Sequence, residues 1–279
     1  MIWMALSVGR PVARALLYPI CVYYLIRLRH AGRDLVYYLT RALGRSINWR
    51  DLYRQYHRFA STLLDRVYLL AGPCHQFDID IRGLDVLKDQ LARGQGCILL
   101  GSHLGSFEIV RAIGLAQRNL EIKVLMYQQH TPMMHDIFRH LNPAVSDSVI
   151  QAGSPNTMLQ VKECLDRGGV VGILADRLLT HDQATPCTFF GKPARFPAKT
   201  MWLASVLQVP VILFFGLYRG GNRYEVHFEL FAETLTIDRR HRDQEVQQWT
   251  QRYAYRLEHY CRLAVDNWFN FYDFWEDQR

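Results

Sequence analysis

Cys97-Ile98-Leu99-Leu100-Gly101-Ser102-His103-Leu104-Gly105-Ser106-Phe107-Glu108 changes character half-way along. Residues 97–100 are apolar without alternation, which suits a parallel strand covered on both faces. From Ser106 to Gln117 the chain reads as a helix, so residues 101–105 are the turn at the strand's carboxyl end. In open α/β sheets, binding and catalytic sites form at such ends. His103 and Glu108 are five residues apart, about 140° on one continuous helix. They converge if His103 lies in the turn and Glu108 in the first helical turn. Gly105 permits that turn, and Ser106 is a suitable N-cap.

The alternation continues in both directions. Upstream, Trp49–Leu70 carries apolar residues at helical spacing (Trp49, Leu52, Tyr53, Tyr56, Phe59, Leu63, Leu64, Val67), and Gly72-Pro73 ends it. Phe77, Ile79 and Ile81 alternate with charges as on a half-buried strand, and Asp85–Arg93 reads as a short helix. Downstream, strands are expected at 121–127, 145–150 and 169–174, with helices at 132–141 and 156–166. A helix at 197–207, strands at 209–217 and 224–231, and a polar helix at 243–264 complete the pattern. This is an α/β fold with a mixed, mostly parallel central sheet flanked by helices. The last two strands are separated only by Arg219–Arg223, which makes them antiparallel neighbours. A boundary is expected near residue 75, giving a helical part over 1–74 and an α/β domain over 75–279.

A histidine held by a carboxylate is a general base of fixed tautomer. Such a pair suits a hydroxyl attacking an activated acyl group: His103 takes the proton, and Glu108 orients the ring and stabilises the imidazolium. Spacing leaves a second reading open, a satisfied turn histidine beside a favourable charge at a helix N-terminus. Neighbouring chemistries lack their residues. The centre of Gly101–Gly105 is His103 where a nucleophile elbow needs serine, and there is no H-E-x-x-H and no Walker A loop. Neither a metal nor a cofactor is expected.

The chain has 279 residues, 49% hydrophobic and 21% charged, with net charge +7. That composition excludes a mostly disordered chain, and no uncharged apolar run reaches the roughly 18 residues of a membrane span. Charge is placed unevenly. Residues 1–58 hold ten arginines and no lysine against Asp34 and Asp51, a local +8, while the rest sums to −1. A basic segment of this kind favours a polyanion. The apolar stretch Ala15–Ile26 has twelve uncharged residues, about 18 Å as helix, with Pro19 inside and arginines at both ends. This reads as an interfacial anchor on an anionic membrane surface, with the arginines on lipid phosphates. The competing reading is a buried helix with a solvated basic face. No nucleic-acid-binding motif is present, so nucleic acid is not expected as partner. The six cysteines are scattered without a C-x-x-C pair and read as reduced, mostly buried thiols of a cytosol-facing protein.

The H-x4-E spacing of His103 and Glu108 behind a buried strand resembles the H-x4-D/E motif of glycerolipid-type acyltransferases. The wider chain is similar to the bacterial lipid A biosynthesis (lauroyl/myristoyl) acyltransferases. The likeness runs through Gly9-Arg10-Pro11 to Tyr24, GSHLGSFE at 101–108, Ile173–Arg177, Phe189–Ala194, Leu203-Ala204 and Val209–Ile212. It implies transfer of a fatty acyl chain to a hydroxyl of a lipid or glycolipid, at the cytoplasmic face of the inner membrane. The donor would be acyl carrier protein, with coenzyme A as the other possible thioester. His103 and Glu108 would be catalytic. Asp176 and Arg177 would bind acceptor or shape the pocket, with Gly105 and Ser106 beside the substrate. Arg177 has the geometry for a bidentate phosphate contact, or for a structural ion pair. Lys192 is a phosphate candidate or a surface lysine.

One region departs from the family pattern. Where a tryptophan followed by basic residues is expected, this chain ends Trp268-Phe269-Asn270-Phe271-Tyr272-Asp273-Phe274-Trp275. The cluster suits core, a membrane-facing surface or an acyl-pocket lining, and the loss of basic residues favours an acceptor other than lipid A. His130, His135 and His140 do not stack on one helix face and read as surface or turn residues. Within enzymes, a thioester hydrolase or N-acyltransferase remains an alternative. Outside them the alternative is a non-catalytic, membrane-bound lipid-binding scaffold.

Overall fold

A computed structural model describes residues 7–27, 33–71, 76–110, 120–127, 148–179, 182–272 and 274–275. Three helices come first: α1 (Arg10–Arg27), α2 (Arg33–Leu43) and α3 (Trp49–Ala71). Then follow β1 (Asp78–Arg82), α4 (Leu84–Ala92), β2 (Cys97–Gly101), β3 (Ile122–Tyr127) and β4 (Val149–Ala152). After α5 (Thr157–Asp166) and β5 (Val170–Leu174) comes a hairpin, β6 (Ala184–Phe189) and β7 (Lys192–Pro197). The chain closes with α6 (Lys199–Leu207), β8 (Val211–Gly220), β9 (Arg223–Ala232), α7 (Arg242–Leu263) and a 3-10 turn, Val265–Asn267.

Seven strands form one sheet in the order β1-β9-β8-β2-β5-β3-β4. All neighbours are parallel except β8 and β9, which form the expected antiparallel pair. β2 lies in the middle, and its alternation explains why it carries no polar residue. Ile98 and Leu100 enter a core shared with α7, α6 and α5, while Cys97 and Leu99 enter another shared with α3 and α4. Each of the three aliphatic side chains contributes about 1.5–3 kcal/mol by leaving water.

Most of the other described elements match the expected pattern, though α2 was not expected, β4 runs Val149–Ala152 where a strand was expected at 145–150, and two regions need correction. Residues 184–197 form a separate two-stranded sheet, so Pro197 ends a strand and the helix begins at Lys199. The period-2 burial of Thr185, Cys187 and Phe189 was legible, as was the Phe190-Gly191 turn, whose φ values of 50° and 70° match a two-residue hairpin. The second correction concerns α3. The apolar stripe that marks the helix in the sequence is only half-buried, and Trp49 and Leu63 are exposed. The buried positions include Asp51, Gln55, Ser61, Thr62 and Asp65. Several of these polar groups are placed inward because partners wait there. Arg45 pairs with Asp51, and Gln55 Nε2 donates to the Trp268 carbonyl at 2.6 Å.

Asp65 also corrects the reading of the N-terminal arginines. It is fully buried and accepts from Arg10 Nε at 2.8 Å, Arg10 Nη2 at 2.9 Å and the Tyr224 hydroxyl at 2.9 Å, with Arg14 at 3.8 Å. Arg10 and Arg14 therefore tie α1 to the core and are not spread over a surface. Arg45 is paired with Asp51, and Arg54 and Arg58 with Asp266. Among the described residues no helix is long and apolar enough to cross a membrane. The expected boundary near residue 75, the helix at 132–141 and the three spaced histidines lie outside the described residues, as do Cys74, residues 111–117 of the helix expected at 106–117 and residues 145–147 of the strand expected at 145–150. The other five cysteines are free and buried.

Candidate active site

β2 and β5 are adjacent parallel strands in register, with Gly101 opposite Leu174. Two residues beyond each partner stand His103 and Asp176, so the register alone brings them side by side at the sheet's carboxyl edge. His103 Nδ1 lies 2.7 Å from Asp176 Oδ1, and the His103 backbone N–H donates to both carboxylate oxygens at 3.1 and 3.0 Å. Trp268 Nε1 and Asn270 Nδ2 donate to Oδ2 at 3.0 and 3.2 Å. Asp176 is completely buried. Burial, the largest influence, pushes its carboxyl up. The His103 ring and backbone N–H, together with Arg177, outweigh that and bring it down to about 2. At neutral pH Asp176 is thus a carboxylate that only accepts. Nδ1 must carry a proton, and in the neutral imidazole this leaves the lone pair on Nε2. The side chain of His103 keeps 28% of its accessible surface, and no bond to Nε2 exists among the described residues.

The expected partner of that ring was Glu108. In the structure the carboxylate on Nδ1 is that of Asp176, while Glu108 forms an ion pair with Arg66 of α3 and accepts from Ser106 Oγ at 3.4 Å. Ser106 thus turns its hydroxyl to Glu108. Asp176 was expected to bind acceptor or to shape the pocket; it is completely buried and offers an acceptor no surface, so its contacts here are with the protein's own groups. Arg177, the phosphate candidate, donates through Nε to Asn270 Oδ1 and through Nη2 to the Phe269 carbonyl, both at 2.7 Å. It clamps the segment that touches Asp176. Lys192 opens β7 on an exposed position, without contact to His103 or Asp176 among the described residues.

The turn itself is held from two sides. Gly105 N–H donates to the Asn267 carbonyl and Ser106 N–H to the Gly216 carbonyl, each at 2.8 Å. Phe269 N–H donates to the His103 carbonyl at 2.9 Å, and Leu104 bridges Trp268. Gly105 has φ +73°, and a Cβ there would lie 1.9 Å from the Gly216 oxygen, so only glycine fits.

The C-terminal aromatics resolve mostly as core. Trp268, Phe269, Phe274 and Trp275 are buried, while Tyr272 is exposed. Sequence reading missed that Trp268 and Asn270 are also part of the site. Their alternate spacing on an extended segment was the available signal. Arg66 carried no signal in the sequence beyond its place on α3. Two cavities of about 410 and 580 Å³ among the described residues lie elsewhere, one between the hairpin base and the starts of α6 and α7, the other between α1 and the β8–β9 turn. Neither includes His103 in its lining. Geometry and chemistry weigh more than cavity size in locating a site, and the imidazole with its buried carboxylate is the arrangement that can move a proton.

The family model described as bacterial lipid A biosynthesis acyltransferase matches residues 56–276, most of the chain and all of this arrangement. No curated protein sequence matches.

Proposed function

The chain belongs to the bacterial lipid A biosynthesis acyltransferase family and is an acyltransferase; from that premise we propose that it moves a fatty acyl chain from an acyl thioester, carried by acyl carrier protein, to a hydroxyl of a lipid or glycolipid. The observation that carries this reading is the His103–Asp176 pair at 2.7 Å at the carboxyl end of β2. His103 Nε2 takes the acceptor's hydroxyl proton as the oxygen attacks the thioester carbonyl. The carbon–sulfur bond then breaks, and the proton passes from the imidazolium to the departing thiolate. Asp176 holds the ring and balances its transient charge. No residue of the protein needs to be acylated.

The reading extends to location, at the cytoplasmic side of the inner membrane as a peripheral protein. What supports it is the outer face of α1. Val12, Leu16 and Ile20 follow one another at intervals of four and are exposed, together with Tyr23, Tyr24 and Ile26. Arg27 and Arg33 are exposed at the adjoining helix ends. Such a helix lies in the headgroup boundary with its apolar face down. Replacing Leu16 and Ile20 by glutamate is expected to weaken cosedimentation with phosphatidylglycerol-containing vesicles on the order of a hundredfold, from the apolar burial lost. Unchanged cosedimentation would refute the anchor.

The function is tested by mass spectrometry of membrane lipids from cells with and without the protein. The expected difference is one lipid species heavier by a fatty acyl group, absent when His103 is alanine. Free fatty acid as the only product would instead establish a thioester hydrolase.

A further inference from the structure

We propose that Arg66 is a positioning residue of the transferase, holding Glu108 away from the imidazole's chemistry and fixing the helix that starts at the motif. The inference rests on the acyl-transfer reading of the His103–Asp176 pair. Two carboxylates border the short segment 103–108, and each has its own cationic or ring partner. Asp176 serves the His103 ring, and Glu108 is paired with Arg66. The Glu108 side chain keeps only 11% of its accessible surface and that of Arg66 26%, so the pair is largely withdrawn from water. A carboxylate so placed without its cation would be left uncompensated, and removing one partner costs much more than removing both.

Arg66 is able to hold this position because its helix is tied to the rest of the molecule at several points. The preceding residue, Asp65, is locked by Arg10 and Tyr224, and further along the same helix Gln55 donates to the Trp268 carbonyl. Trp268 in turn donates to Asp176. α3 therefore touches both carboxylates of the site, one directly through Arg66 and one through Trp268. Glu108 begins the helix after the motif, and Ser106 Oγ and Ser106 N–H anchor the residues between it and His103. Movement of Glu108 is passed to the turn that carries the imidazole.

A double-mutant cycle of Arg66→Met and Glu108→Gln tests this, with turnover measured as thiol release from lauroyl-acyl carrier protein in solubilised membrane lipid. Arg66→Met is expected to lower kcat about tenfold or more with KM for the thioester little changed, as small displacements of a catalytic group do. Glu108→Gln alone is expected to fall short of the loss in His103→Ala. The double variant should recover most of the turnover, and Arg66→Lys part of it. A purely structural pair would lower the thermal midpoint of Arg66→Met and leave kcat per folded molecule intact; that result overturns the inference, as does additivity of the two single losses. His103→Ala in the same assay separates the cases. If it keeps full turnover, the acyl-transfer mechanism fails; if it abolishes turnover while Arg66→Met has parental kcat, only the positioning role fails.

Discussion

Replacing His103 by alanine is expected to cut acyl transfer by about a thousandfold, within the range a general base supplies, without unfolding the protein. The ring is partly exposed at the end of β2 and is not a core side chain. Asp176→Asn should cost a similar factor for a different reason. An amide keeps the shape but also brings donors. Asp176 now accepts from His103 Nδ1, the His103 backbone, Trp268 Nε1 and Asn270 Nδ2. An asparagine must either turn an N–H toward one of these donors or lose the contact, and the imidazole is free to adopt the other tautomer. The unsatisfied groups add about 1–3 kcal/mol of destabilisation. The pH dependence has a definite sign. The native carboxyl titrates at about 2, below its ordinary 3.8, so ionised Asp176 contributes stability above pH 3.8 that is lost as pH falls toward 2. The difference in urea midpoint between parent and Asp176→Asn should therefore shrink between pH 5 and pH 2. An asparagine variant with parental turnover, beside a Glu108→Gln variant with none, would show that the acid of the H-x4-E spacing and not Asp176 governs the imidazole.

That exchange of acids shows where sequence reading stops. His103 in a turn after a buried strand followed from local composition, because an apolar run ending in Gly-Ser-His-Leu-Gly has few other conformations. Glu108 was paired with it because the two are near in sequence. Asp176 is 73 residues away, and its position depends on β2 lying beside β5, a fact of strand order with no local signature. Ile173–Arg177 was visible as a strand end with an acid and a base, and its residues alone left a ligand-binding and a structural role open for both. Polar residues at a strand end are as often claimed by the protein itself, and Arg177 is claimed by Asn270 and the Phe269 carbonyl. α3 meets the same limit. Helical periodicity located the helix within a residue or two, but its apolar stripe did not identify its buried face. Buried Asp51, Gln55 and Asp65 are stable only because Arg45, Trp268, Arg10 and Tyr224 meet them, and no pattern within the helix encodes those partners. The basic N-terminal segment was read as free charge for the same reason. Net charge counts arginines without saying how many are already paired.

Gly105→Ala is expected to be severely damaging, and this follows from backbone alone. The new methyl group would lie 1.9 Å from the Gly216 oxygen and 2.7 Å from its carbon, with Leu217 Cα at 3.2 Å. Neither side is able to yield cheaply. Gly216 belongs to β8 and accepts from Ser106 N–H at 2.8 Å, while Gly105 N–H is held by Asn267 at 2.8 Å. Asn267 is itself fixed, its Oδ1 accepting from Tyr218 N–H at 2.6 Å. Relief of the clash breaks at least these turn contacts. It also forces a non-glycine residue to keep φ near +73° or abandon it. Backbone strain of about 1–3 kcal/mol and lost hydrogen bonds of about 1 kcal/mol each place the cost on the order of 3–5 kcal/mol. That is a large share of the 5–15 kcal/mol typical of whole domains. Molecules that still fold would carry a displaced His103, and about 1 Å of displacement is worth roughly a hundredfold in rate. Gly191→Ala supplies the comparison. Gly191 also has positive φ, +70°, but nothing lies within 4 Å of a Cβ there, so only the conformational penalty of about 1 kcal/mol remains. Urea midpoints and kcat of the two variants separate the causes. Gly105→Ala should lose both stability and turnover, and Gly191→Ala a little stability alone. Equal midpoints would mean that the close approach of Gly105 to β8 is not what fixes the catalytic turn.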